Sequence, residues 1–164
     1  MPEPGGGRGG VCGERIASVS SARTRLRLPF FVYGTLRPGE PHHELFLRGR
    51  TRAQEPARLP GAVLYDGPGY PYAVEEPGGV IRGELVTAHD ESYGELLAVL
   101  DRLEEYRAPG DPCNLYDRVA REAARDTDET VVRAWVYLAA PPVAARLRAS
   151  GRRIESGDWR ARRT

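Results

Sequence analysis

The spacing of hydrophobic and polar positions changes several times along the chain, and each change predicts an element. In "PFFVYGTLRPG" residues 30–33 are wholly apolar and aromatic, which predicts a short buried strand. It stops at Gly34, and Pro38-Gly39 forces a turn. "PHHELFLRG" predicts a short helix over 41–49, ended by Gly49. "PGAVLYDGPGYPYAVEEPGGVIRGELVTA" predicts three strands, at 62–66, 70–75 and 80–87, separated by Gly/Pro turns and paired as antiparallel hairpins. The period then becomes helical in "ESYGELLAVLDRLEEY", with Ser92 and Glu95 spaced as a capping box and "APGDP" as the stop. Two more strands follow, at 115–123 and 131–139, joined by the polar turn "RDTDE". In the second, Val132, Ala134, Val136 and Leu138 alternate with Arg133, Trp135 and Tyr137. A short helix over 142–149 and the segment "IESGDW" complete the pattern, and no internal repeat is visible.

About six strands, mostly hairpin-linked, and two or three helices make an α+β fold. An open sheet of short strands leaves two exposed edges, so we expect a small, mostly antiparallel β-barrel flanked by the helices. Residues 1–28 are Gly, Arg and Ser rich with scattered apolar positions and read as a disordered leader; residues 29–164 read as one domain.

Composition removes several classes of function. Twenty-four basic against 23 acidic residues leave a net charge of +1, with no general pull towards nucleic acid or a membrane surface. The apolar runs are too short to span a bilayer, and no signal-peptide core follows Met1. A soluble cytoplasmic protein is expected, with monomer and homodimer both open. All 24 basic residues are Arg, which excludes a lysine Schiff base, a pyridoxal phosphate attachment and a P-loop lysine. Cys12 and Cys113 lie in unrelated contexts without CxxC spacing, so neither a bridge nor a metal site is expected. Adjacent His42 and His43 diverge on a helix and cannot share a metal; they read as surface or helix-start residues.

"LLAVLDRLEEYRAPG" carries three acids, Asp101, Glu104 and Glu105. At about 100° per residue from Leu100, the stripe of Tyr93, Leu96, Leu97 and Leu103 spans roughly −60° to +60°. Glu104 falls near +40°, inside it; Asp101 falls near +100°, at its edge; Glu105 falls near +140°, outside. A carboxylate on an apolar stripe is costly unless paired or protonated, and burial raises its pKa into the range of a useful base. A salt bridge to an Arg, or an outward swing at a fraying helix end, would explain Glu104 equally well.

Two further candidates stand beside it. In "VYGTL" a strand breaking at Gly34 presents consecutive N–H groups that could hold a carboxylate or an oxyanion. In "YDR" Tyr116 and Arg118 share one strand face, as an anionic ligand or an ordinary cross-strand pair would require.

Taken in order, "FFVYGTLRPG", "YPYAVEEPGGVIRGELV", "LLAVLDRLEEY", "LYDRVAREA", "AWVYLA" and "IESGDW" resemble the gamma-glutamylcyclotransferase-like family over residues 29–160. The resemblance implies a small barrel with a cavity at its mouth. It also implies intramolecular aminolysis of a γ-glutamyl amine or amide to 5-oxoproline, freeing the amine, with no cofactor and no metal. The catalytic glutamate of its LDxxE pattern corresponds to Glu104, and its substrate-cradling loop to Tyr33, Gly34, Thr35 and Leu36. Two positions depart from it: Glu105 stands where many members have Gly, a change expected to bear on the loop at the pocket rim and on the leaving-group preference, and Thr35 where Ser is also common. The expected partner is a small-molecule γ-glutamyl substrate. Removal of a γ-glutamyl protecting group in a biosynthetic pathway is a variant of this chemistry. Another ring closure or elimination on an amino-acid derivative is a more distant one. A non-catalytic module binding a small acidic metabolite is the rival class.

Overall fold

The computed structural model describes residues 27–162; the first 26 residues of the expected leader lie outside them. Six strands form β1 (Phe30–Val32), β2 (Thr51–Tyr65), β3 (Tyr72–Ala88), β4 (Tyr116–Arg125), β5 (Val131–Ala139) and β6 (Arg153–Ile154). Two α-helices, α1 (Tyr93–Leu103) and α2 (Pro141–Ser150), accompany them. The sheet runs β3-β1-β5-β4-β2-β6, and β2 also pairs with β3, so five strands close on themselves with β6 appended to β2. All pairings are antiparallel except β1 with β5, where Phe30 lies opposite Trp135. The expected barrel is therefore present, and closure satisfies edges that a flat sheet would expose.

The three-residue strand β1 is the keystone of closure. Phe30 and Val32 pack with side chains of both helices, while Phe31 and Tyr33 pack in the second cluster, drawn from the strands and the C-terminal segment. A strand covered on both faces must be apolar at every position, as "FFVY" is. Strand β5 divides in the same way. Ala134, Val136 and Leu138 join the second cluster, and Tyr137 and Ala139 the helix-facing one.

Several sequence expectations change. The strands predicted at 70–75 and 80–87 are one strand, β3, and its hairpin partner β2 begins eleven residues before 62. "EPGG" therefore makes no hairpin. Pairing jumps from Pro60↔Val80 to Ala62↔Glu75, so residues 76–79 bulge opposite Gly61 and the ladder resumes. Pro56 and Pro60 obscured the first half of β2; both are exposed there while Ala57 and Leu59 are buried. The helix expected at 41–49 is a single π-helical turn, His43–Leu47. The helix expected to reach "APGDP" ends at Leu103, and Ser92 makes no side-chain cap bond, so the capping box does not form. His43 is buried, its Nδ1 2.9 Å from the Leu36 carbonyl and its Nε2 2.8 Å from Gln54 Nε2. Cys113 is engaged in a disulfide, contrary to expectation, with the other half outside the described residues.

An ionic clasp ties the C-terminal segment to the loop after β1. Arg37, 7% exposed, donates from Nε and Nη2 to Glu84 on β3 at 2.7 and 3.0 Å. Its Nη1 donates to Asp158 at 2.7 Å. Gly157 carries the segment past β3 with φ 69°, and a Cβ there would sit 2.2 Å from the Val80 carbonyl oxygen. Bidentate geometry makes the Arg37–Glu84 pair specific, but its partners depend on one another once buried. Glu84→Ala should cost about 3 kcal/mol of unfolding free energy in urea titration, because it strands the Arg37 guanidinium. Glu84→Gln, which keeps a hydrogen-bonding partner, should cost less.

Candidate active site

Glu104 is the residue immediately after α1. Its N–H still bonds back to the Leu100 carbonyl at 2.9 Å, so helical phase holds one residue beyond the helix. Phase therefore carries its side chain onto the buried stripe with Tyr93, Leu96 and Leu100. There it borders a cavity of about 240 Å³. The walls include Phe31, Tyr33, Gly34, Thr35, Leu36, His42, Pro71, Tyr116 and Tyr137, with Glu105 beside Glu104.

Among the described residues no side chain or backbone group hydrogen-bonds or ion-pairs with the Glu104 carboxylate. Burial, and then the neighbouring charge of Glu105, push its pKa up to about 7.

The surrounding phenols are all directed elsewhere. Tyr33 donates to the Tyr137 carbonyl, Tyr116 to the Pro71 carbonyl at 2.9 Å, and Tyr137 to Asp101 Oδ1 at 2.7 Å. Burial first, and then neighbouring groups, raise all three above the ordinary phenol pKa, so they stay neutral. Asp101 is the hub behind Tyr137. Its other oxygen accepts from Arg118 Nη1 at 3.0 Å, and the Arg118 guanidinium stands over the Trp135 and Tyr106 rings at 4.7 and 5.3 Å. Thus Arg118 holds Asp101, and Asp101 holds Tyr137.

The loop after β1 forms the opposite wall. Gly34 approaches Pro71 so closely that a Cβ would lie 2.6 Å from the proline Cδ. The N–H groups of Gly34, Thr35 and Leu36 donate to no acceptor among the described residues, whereas the Gly34 and Thr35 carbonyls accept from Arg37 and His43. The Thr35 hydroxyl lies 2.7 Å from His42 Nδ1.

Of the residues singled out by sequence, Tyr33, Gly34, Thr35, Leu36, Glu104 and Tyr116 line one cavity. Arg118 does not; it sits one interaction behind, against Asp101. Tyr137, His42 and Pro71 were missed, and Glu105 was marked only as a departure from the family pattern at the pocket rim. Tyr137 was visible only as one member of an alternating strand. Glu105 was placed outside by helical phase, but its φ of 51° shows that the helix has already ended there.

Residues 30–161 match the family model described as Gamma-glutamyl cyclotransferase, AIG2-like. A curated relative, the gamma-L-glutamyl-butirosin B gamma-glutamyl cyclotransferase of Niallia circulans, is 38% identical over 105 residues, which span 63% of this chain and 63% of that one. The solution structure of protein ytfP from Escherichia coli is similar with TM-score 0.54 and 27% identity, covering 84% of this chain and all of that one. An AIG2-like protein of Mus musculus shares the fold at TM-score 0.51 and 23% identity, covering 71% of this chain and 81% of that one.

An unpaired, half-buried acid carries a stability cost with a defined pH window. The folded pKa of Glu104 lies above its ordinary 4.5, so between about 4.5 and about 7 the folded state binds more protons than the unfolded state. Stability from this group is full below pH 4.5 and is lost as pH rises through about 7. Glu104→Gln should therefore unfold at higher urea than the native chain at pH 8, by up to about 3 kcal/mol, with the advantage vanishing below pH 4.5.

Proposed function

The chain belongs to the gamma-glutamyl cyclotransferase, AIG2-like family, and from that membership we propose that it cyclises the γ-glutamyl group of an amine or amide. The products are 5-oxoproline and the free amine. The observation that carries this reading is Glu104: a carboxylate lining a cavity, without a partner, with its pKa near neutrality. A module that only binds an acidic metabolite gains nothing from such a group.

Nucleophile and electrophile belong to one molecule, so the protein's first task is to hold the substrate folded. The free N–H groups of Gly34, Thr35 and Leu36 receive the substrate's α-carboxylate or the γ-carbonyl oxygen. Glu104 takes a proton from the α-ammonium. The freed amine attacks the γ-carbonyl carbon, closing a five-membered ring and placing negative charge on the carbonyl oxygen. As the carbonyl re-forms, the bond to the leaving nitrogen breaks; Glu104 delivers its proton to that nitrogen and takes the second proton from the ring nitrogen, which becomes the neutral lactam N–H, and that proton leaves with the amine as its ammonium form. Tyr33 and Tyr116 shape the walls, and Arg118 acts through Asp101 and Tyr137 as a positioning residue. The chemistry draws on these side chains and backbone amides alone.

The Niallia circulans relative is named for gamma-L-glutamyl-butirosin B. By likeness to it, we extend the proposal to removal of a γ-glutamyl group from a biosynthetic intermediate. A single domain over 29–164 and a cytoplasmic setting belong to the same reading.

The test is incubation with a panel of γ-glutamyl amines, following 5-oxoproline and free amine together. The native chain should release both in equal amounts, and Glu104→Gln should lose on the order of 10²–10⁴-fold in kcat. Equal turnover by the two would sink the proton-transfer role of Glu104. The native rate should also climb as pH rises through about 7, where Glu104 loses its proton.

A further inference from the structure

The inference rests on the cyclotransferase reading and concerns the amine beyond the scissile bond. Glu105 lines the same cavity as Glu104, but its side chain is exposed, at the open rim. Its backbone is left-handed, a conformation that glycine adopts freely and glutamate does not. Its N–H and carbonyl are both used, bonding to Arg102 and Leu115, so the conformation is fixed by the fold. The carboxylate has neither hydrogen bond nor ion pair among the described residues. Both Glu105 and Arg146 on α2 act on the Tyr72 phenol, yet Arg146 does not ion-pair with Glu105. The position thus combines backbone strain with repulsion of Glu104, and the fold itself supplies no compensating partner.

The rest of the cavity narrows what that partner is. Its walls hold two carboxylates and one imidazole but no arginine, in a chain with 24. In the proposed pose the glutamyl half of the substrate is committed to inner groups: its amine to Glu104, its carboxylate or carbonyl to the amides of residues 34–36. The leaving amine is then left on the open side, beside Glu105. A cation carried there meets an unpaired carboxylate that is already held in place; a neutral chain does not.

We infer that Glu105 is a specificity-determining residue that selects γ-glutamyl amines whose leaving amine bears a second positive charge, an ammonium or guanidinium a few bonds from the amide nitrogen. The test compares γ-glutamyl-putrescine with γ-glutamyl-pentylamine, which match in heavy-atom length and differ in the terminal charge. The native chain should favour the charged amide in kcat/KM by roughly fivefold at low salt, as befits a partly solvated ion pair, and added salt should erode the preference. In Glu105→Gln the ratio should fall to about one. Both substrates use Glu104, so taking the ratio within each variant cancels any change in the base. Glu105→Gly, suited to the left-handed backbone, should also lose the preference, which separates loss of charge from loss of folding. A native ratio near one, or a preference that survives in Glu105→Gln, overturns the inference. No turnover of either amide, or of the wider panel, by the native chain strikes the cyclotransferase reading itself and removes this inference with it.

Discussion

Keeping one half-buried carboxylate unpaired is the constraint that organises the surrounding structure. An arginine within reach of Glu104 would pull its pKa down and end its use as a base. This chain has 24 arginines, and those near the site are committed elsewhere. Arg118 is turned onto Asp101 and stacked on Trp135 and Tyr106, and Arg37 is clamped between Glu84 and Asp158. The phenols are likewise occupied: each hydroxyl of Tyr33, Tyr116 and Tyr137 donates to a group other than Glu104. What resembles incidental salt bridging is a system that keeps donors away from one acid.

The barrel makes that arrangement rigid. Strand β1 joins β3 to β5, and the chain leaves it directly into the Gly34–Leu36 wall. That wall is held from three sides. The Arg37 clasp fixes its far end, His42 meets the Thr35 hydroxyl, and Pro71 presses on Gly34. The opposite wall is the end of α1, fixed by the burial of Leu96 and Leu100. Two walls from elements distant in sequence are thus registered through one short strand. The C-terminal "SGDW" segment contributes by tying β3 to the same loop.

Much of this was legible in the sequence because it depends on periodicity. Helical phase alone placed Glu104 on the buried stripe, and its backbone bond to Leu100 shows why phase remained valid there. The apolar run "FFVY" announced a strand covered on both faces. What was not legible depends on pairing partners rather than local pattern. Residues 51–61 look irregular because two prolines and alternating polar residues occupy a strand whose inward face carries only Ala57 and Leu59 before the bulge. "EPGG" has turn chemistry, yet the β2–β3 ladder continues around it, since the long-range pairing on both sides outweighs a local preference. The backbone at Glu105 was hidden for a different reason: a phase of about 100° per residue assumes a helix, and the helix ends at Leu103. The unusual residue at a position suited to glycine was visible only as a departure from a family pattern; its meaning needed the backbone angle.

The energetics explain why a fold would retain such a group. An α-amino group titrates near about 8, and an ordinary glutamate near about 4.3, so proton transfer between them is uphill by roughly 5 kcal/mol. With the carboxyl at about 7 the gap is about one unit, or roughly 1.4 kcal/mol. Burial therefore removes several kcal/mol from the first step of the proposed ring closure, and the protein loses stability of similar size whenever Glu104 is ionised. The two quantities are one quantity seen from two states: free energy that disfavours the empty-site carboxylate is what makes it accept a proton from the substrate. A partner introduced to stabilise Glu104 would recover the stability and lose the base. The same trade holds at the rim. Glu105 adds to the repulsion that raises its neighbour, so its charge serves Glu104 in the empty cavity and, on the reading above, the departing cation in the filled one.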